Sequence, residues 1–236
     1  MKTVAIIQSN YIPWKGYFDI INDVDLFIFY DDVQFTKNDW RNRNKIKTHQ
    51  GSNWISIPVS ADKNCLICEV EIKDLNWAIK HWKNLNQYYS RTPYFKWLQP
   101  FLEEVYLGRS WKTLSEFNHY LICSLARDYL GITTEFSDSR EFQLEGKKLD
   151  RLIDLLQKAG AEKYISGPAA KGYIQEERFA DVGICLQYKD YSGYPEYPQF
   201  FPPFEHGVTI LDLLFHTGPD APWYIWGWRQ SGTYSL

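Results

Sequence analysis

Few cysteines, no apolar run of membrane length and no surplus of either charge define what this 236-residue sequence is not. Four cysteines are too few to scaffold a chain of this length with disulfides, so Cys65, Cys68, Cys123 and Cys185 read as reduced thiols. Cys65 and Cys68 form a CxxC, but no second CxxC, nearby His pair or thioredoxin-like βαβ pattern accompanies it, and no metal site is expected. A membrane-spanning helix needs roughly 20 apolar residues; no run approaches that, and membrane insertion is not expected. The first residues, Met1 to Gln8, pass directly into a strand-like segment rather than a signal peptide, which predicts a cytoplasmic protein. With 26 basic against 29 acidic residues, a net charge of -3 and a pI near 6.0, nothing attracts nucleic acid or an anionic membrane in bulk. GxGxxG, GxxxxGK[ST] and GxSxG are all missing, so a dinucleotide fingerprint, a P-loop and a serine-hydrolase elbow are unsupported.

Aromatic residues are abundant instead, at 17%, with ten Trp and seventeen Tyr. Such side chains carry large apolar area and, in Tyr and Trp, a polar handle; they fill cores and also pack against flat ligands and sugar rings. Most must be core, yet a mean hydropathy of -0.43 leaves some to line a cleft or a partner surface.

The order of elements predicts an α/β fold: a mostly parallel sheet with flanking helices and a helical insertion, in a single domain over 1-236. Thr3 to Gln8 reads as a buried strand running into a polar loop with Pro13 and Gly16. Helical spacing follows from Tyr17 to Ile21, and Leu26 to Tyr30 reads as a second strand closed by Asp31-Asp32. Trp54 to Val59 and Val70 to Ile72 read as further strands. A mainly helical section covers about 76-160: one stretch from Asn76 to Leu107 broken at Arg91-Thr92-Pro93, one from Leu114 to Leu130 stopped by Gly131, and one from Lys148 to Gly160. Strands are expected again at Lys163 to Ile165 and Val182 to Gln187. The Tyr-, Pro- and Phe-rich tract from Tyr188 to Phe204 reads as an ordered surface loop, and Val208 to Phe215 as a helix. A parallel α/β sheet places its site at the carboxyl ends of its strands.

Four constellations could carry chemistry. The first is Gln8, Asn10, Tyr11, Trp14, Lys15 and Tyr17 around Gly16, a strand-to-helix loop whose backbone N–H groups would suit a phosphate or carboxylate. The second joins Asp31, Asp32 and Gln34 to the run Trp40-Arg41-Asn42-Arg43-Asn44-Lys45-Ile46-Lys47. It offers fixed donors for an anion, or else a solvated loop whose charges pair with each other. The third is His81, either a satisfied, partly buried histidine or a base near neutral pH. The fourth is Ser166-Gly167 at the end of a strand, a hydroxyl and backbone donor for a ligand or simply a corner.

Separate stretches in order make the sequence resemble the WbqC-like protein family over nearly its whole length. They are Ala5-Ile-Ile-Gln-Ser-Asn-Tyr-Ile-Pro-Trp-Lys-Gly-Tyr-Phe18, Asp31-Asp-Val-Gln-Phe35, Asn42-Arg-Asn-Lys-Ile-Lys47, Trp54-Ile-Ser-Ile-Pro58, Lys80-His-Trp82 with Tyr94-Phe95, Tyr164-Ile-Ser-Gly-Pro168, and Ile210-Leu-Asp-Leu-Leu214. The resemblance adds weight to Asp31, Asp32, Arg43, His81 and Ser166. It implies a bacterial surface-polysaccharide (O-antigen) context and transfer of an acyl or aminoacyl group to the amine of a nucleotide-linked amino sugar. In that expectation His81, with Asp32, removes the amine proton. Arg43, Lys45 and the Gly16 loop hold phosphate, Tyr11, Trp14 and Tyr17 pack against a ring, and Gln8, Asp31, Gln34, Asn44, Ser166 and Gly167 complete the substrate site. Acyl-CoA or a carrier-protein thioester is the candidate donor, and an acyl or peptidyl carrier protein a candidate partner. Two alternatives stay open. One is a non-catalytic binding or scaffold protein using Tyr188 to Phe204 and Trp223 to Trp228 as a contact surface. The other is an adenylating nucleotidyltransferase-like enzyme, although no HxGH stands at Pro13 to Tyr17 and no KMSKS-like run follows Ser166.

Overall fold

A computed structural model describes residues 1–231 except Lys63, Leu75 and Tyr173, and gives only the backbone of Gln230 and Ser231. The strands, in chain order, are β1 (Thr3–Ile7), β2 (Leu26–Phe29), β3 (Arg43–Thr48), β4 (Gly51–Ser56), β5 (Val59–Ser60), β6 (Glu71–Ile72), β7 (Glu135–Asp138), β8 (Lys163–Ser166) and β9 (Cys185–Tyr188). The helices are α1 (Lys15–Asn22), α2 (Trp77–Tyr89), α3 (Phe95–Glu103), α4 (Leu114–Ser124), α5 (Leu149–Lys158), α6 (Glu177–Ala180), α7 (Ile210–Thr217) and α8 (Trp228–Ser231).

Five strands form the central sheet in the order β7-β2-β1-β8-β9, every pairing parallel. Both of its faces are covered, which is why β1 and β2 are continuous apolar runs. The strand period of two still divides them. Ala5, Phe27, Phe29 and Ile165 enter one core with α1, α2, α3, α4 and α7. Val4, Ile6, Leu26, Ile28 and Tyr164 enter the other with α5 and Phe179 of α6. The chain winds outward from β1 through β2 to β7, then returns to the opposite flank of β1 with β8 and β9. The direction of winding therefore reverses between β1 and β8, the place where the connecting loops part and a crevice opens beyond the carboxyl ends of the strands.

The α/β reading of the sequence is correct, and three details differ. The expected strand from Trp54 to Val59 is interrupted after Ser56, and its pieces belong to two small antiparallel sheets, β3-β4 and β5-β6. β3, read as a charged loop, alternates Arg43, Lys45 and Lys47 against buried Asn44, Ile46 and Thr48, with Lys47 buried as well. β7, Glu-Phe-Ser-Asp, lies at the sheet edge and lacks the apolar run by which a central strand is recognised. Gly131 and Gly160 adopt φ of +67° and +68°, the left-handed conformation that closes a helix at low cost for glycine.

Two buried carboxylates tie the C-terminal third to the rest. Asp19 of α1 accepts from Arg229 at 2.9 and 2.7 Å and from Tyr194 at 2.5 Å, with the Lys189 ammonium 2.8 Å away. Asp212 of α7 accepts from Tyr89 at 2.9 Å, Tyr197 at 2.7 Å and Gln199 at 2.8 Å. Removing one partner of a buried ion pair leaves a desolvated charge behind. Asp19→Ala, which takes the paired carboxylate from Arg229 and leaves Lys189 with Asp23 alone, should therefore lower the unfolding free energy by about 3 kcal/mol in urea titrations.

Candidate functional site

A cleft of about 1000 Å³ occupies the reversal between β1 and β8. Gln8 and Asn10 reach it from the loop after β1, Trp14 and Tyr17 from the start of α1, and Ser166 and Gly167 from the end of β8. Lys147, Lys148 and Asp150 stand at the start of α5, Gln175 and Arg178 at α6, and Tyr30, Arg41 and Tyr191 complete the walls.

The loop after β1 is held in a costly shape. Ile12 has φ of +36°, and a β-branched residue in that region is strained by about 1–3 kcal/mol. The neighbouring backbone is pinned on several sides. Tyr11 N–H donates to the Trp40 carbonyl at 2.9 Å, Asn44 donates to the Tyr11 and Ile12 carbonyls at 3.0 and 2.7 Å, and Ile210 N–H donates to the Pro13 carbonyl at 2.9 Å. Gly16 follows, and a Cβ there would stand 2.3 Å from the Trp14 ring. The glycine lets the indole lie against the first turn of α1, where Tyr191 and Tyr194 pack on it at 5.1 and 6.0 Å.

Beneath the loop, the fully buried Asp31 carboxylate accepts from Ser9 N–H at 2.8 Å, Ser9 Oγ at 2.7 Å, Ser115 Oγ at 2.5 Å and His119 Nε2 at 2.9 Å. Burial opposes its ionisation, but the bonds from His119, Ser115 and Ser9 prevail and hold it below the ordinary carboxylate value of 3.8. Asp32, partly buried, pairs with Arg151 of α5 and accepts from Ser139 at 2.5 Å.

Of the residues singled out from the sequence, Gln8, Trp14, Tyr17, Ser166 and Gly167 line the cleft, as does Asn10. Asp31 and Asn44 brace its loop from behind, and Asp32 binds α5 to the sheet. Arg43 and Lys45 do not reach it. They lie on the exposed face of the β3-β4 hairpin, 4.3 and 5.3 Å over the Trp54 ring. Gln34 forms a bridge with Leu66. Tyr11 is fully buried, its hydroxyl 2.6 Å from His81 Nδ1 and 2.8 Å from the Tyr106 hydroxyl.

His81 stands apart from the cleft lining. Its Nε2 faces the Ser56 carbonyl at 3.1 Å and so carries the proton, leaving Nδ1 to accept from Tyr11. Burial lowers its pKa to about 4. It is a neutral strut between α2, the Tyr11 loop and β4, with both nitrogens engaged and no place in the cleft lining. Arg41 of the second constellation lines it too, as do residues that the sequence reading did not select: Tyr30, Lys147, Lys148, Asp150, Gln175, Arg178 and Tyr191. The Lys147-Lys148 pair just before α5 was a legible cue. Arg178 becomes part of the site only because α6 folds back beside β8.

The model of the WbqC-like protein family matches residues 8–224, from the first polar residue of the cleft loop to the C-terminal aromatic segment. The chain belongs to the WbqC-like protein family. It is also 45% identical over 232 residues to an uncharacterized protein of Mycobacterium tuberculosis, covering 98% of this chain and all of that one. No solved structure matches it. Among the described residues of this WbqC-like protein, no helix is long and apolar enough to cross a membrane.

His81 makes stability pH-dependent with a definite sign. The unfolded chain takes up the His81 proton near 6.5, the folded chain only near pH 4. Its contribution is therefore complete above pH 6.5 and falls by up to about 3 kcal/mol as pH drops through that window. Urea titrations between pH 4 and 7 should show a shallower acid slope for His81→Gln than for the unaltered protein.

Proposed function

We propose that this WbqC-like protein is a transferase of bacterial surface-polysaccharide biosynthesis that acylates or aminoacylates the amine of a nucleotide-linked amino sugar bound in the β1/β8 cleft. One observation carries the reading: Arg41, Lys147, Lys148 and Arg178 converge on a cleft lined by the rings of Trp14, Tyr17, Tyr30 and Tyr191. The single carboxylate among those lining residues, Asp150, is already paired with Arg178 at 2.8 Å. The cleft thus has an excess of positive charge and flat apolar surface, which together suit a phosphorylated ligand bearing rings. The polysaccharide context comes from the family resemblance.

In this reading Lys147, Lys148 and Arg178 hold the diphosphate near the start of α5 and the Ser166-Gly167 turn. The aromatic residues pack against base or sugar. The amine attacks the acyl carbonyl carbon, an N–C bond forms as the bond to the leaving thiolate breaks, and the amine proton passes to Asp150, which replaces His81 as base. A second reading, binding without turnover, draws on the same lining, which contains no histidine and only a paired carboxylate.

Isothermal titration against nucleotide-linked amino sugars tests the assignment. A charge-assisted contact is worth about 1.5 kcal/mol, so Lys148→Ala and Arg178→Ala should each weaken binding roughly tenfold, whereas Arg43→Ala should leave it unchanged. The reverse pattern would refute the site. Product formed by purified protein with an acyl thioester selects the transferase; tight binding with no product selects the binding protein.

A further inference from the structure

The Arg41 end of the cleft has a chemistry of its own. The Arg41 side chain is 14% exposed, and burial pulls its pKa below the ordinary guanidinium value. The carboxylate within ion-pair reach, Asp39, stands 3.8 Å away and is engaged by Thr36 Oγ1 and Trp40 N–H, both at 2.7 Å. The guanidinium instead donates to two neutral oxygens, Gln8 Oε1 and Asn10 Oδ1, and its Nε has no partner. A largely buried cation whose carboxylate neighbour stands 3.8 Å away is costly unless an anion completes it.

The orientation of the two amides supplies the second observation. With both oxygens turned to Arg41, each amide presents its –NH2 group away from it, and neither –NH2 donates to a protein acceptor among the described residues. Gln8, Asn10 and Arg41 therefore line the cleft as donors alone. We infer that these three residues form a carboxylate subsite, distinct from the phosphate-holding Lys147, Lys148 and Arg178. Arg41 Nη1 and Nη2 each keep one N–H beyond that given to Asn10 and Gln8, and these two donors match the two oxygens of a carboxylate, while lysines act as point charges suited to phosphate.

This deepens the transferase reading and rests on it. The second substrate reaches the cleft with a free carboxylate, as a dicarboxylic acyl group attached to its thioester through its other end. The strained, pinned Ile12 loop keeps Gln8 and Asn10 in register with Arg41, so the subsite exists before the ligand arrives.

Ligand-observed NMR and calorimetry on the full chain test this with matched pairs: succinate against succinamide, glutarate against glutaramide, and inorganic phosphate as competitor. At least one carboxylate should bind, with its carboxamide at least tenfold weaker. The better-bound of succinate and glutarate gives the length of the acyl group. Gln8→Glu and Asn10→Asp, both nearly isosteric, should weaken carboxylate binding at least tenfold by placing an anion against Arg41, and change nucleotide-sugar binding less than threefold; Lys148→Ala should do the opposite. The inference is overturned if no carboxylate binds, if acid and amide bind alike, if phosphate displaces the carboxylate with equal affinity, or if both variants leave carboxylate binding intact. Loss of nucleotide-sugar binding alone, with the carboxylate still bound, would refute the transferase reading and leave the subsite standing.

Discussion

The buried Asp31 carboxylate is the constraint on which the cleft depends. Placed just beyond β2, it gathers donors from Ser9 after β1 and from Ser115 and His119 of α4, so one ionised group fixes the sheet edge, the cleft loop and the helical layer. A buried carboxylate with several donors is stable only while all stay in place. His119 is itself stacked on Phe29 at 3.8 Å, so the donor cannot swing away without losing apolar packing. The loop from Gln8 to Trp14 inherits its position from this arrangement and can then tolerate the strain at Ile12.

The aromatic residues divide their labour by location. Tyr11, Trp77, Tyr106 and Phe117 cluster behind the loop with ring centroids 5.1 to 6.3 Å apart. The tract from Tyr188 to Phe204 folds inward: Tyr194 and Tyr197 are buried, bonded to Asp19 and Asp212. With Phe204 they surround the Lys15 ammonium at 4.9 to 5.7 Å. Burial lowers Lys15 to about 8, against the pull of Asp212 and Glu196. The tract is thus a packed strap over α1 and α7 that lends Tyr191 to the cleft, with Tyr188, Phe200, Phe201 and Phe204 half-buried.

This geometry explains why the donor residues were hard to rank from the sequence. In Trp40 to Lys47, cations alternate with polar and apolar residues, and nothing local says which will face the ligand. The β3-β4 hairpin begins at Arg43 and turns Arg43 and Lys45 onto its outer face, where Trp54 covers them. Arg41 precedes the strand, is free of the pleat, and turns toward β1. His81 follows the same rule: helical spacing gives the face of α2, but only the fold sets its two nitrogens against Tyr11 and Ser56.

Local sequence was sufficient for the alternation of strand and helix, the buried runs of β1 and β2, the glycine stops after the helices, and the presence of polar residues where β1 and β8 end. These follow from periodicity and backbone preference, which act over a few residues. Only the tertiary structure decided which polar residues meet, because the meeting depends on the order of strands and on α5 and α6 returning beside β8. Electrostatics followed the same division: charge is written residue by residue, but whether it is buried, paired or left facing a cleft depends on neighbours more than a hundred positions away.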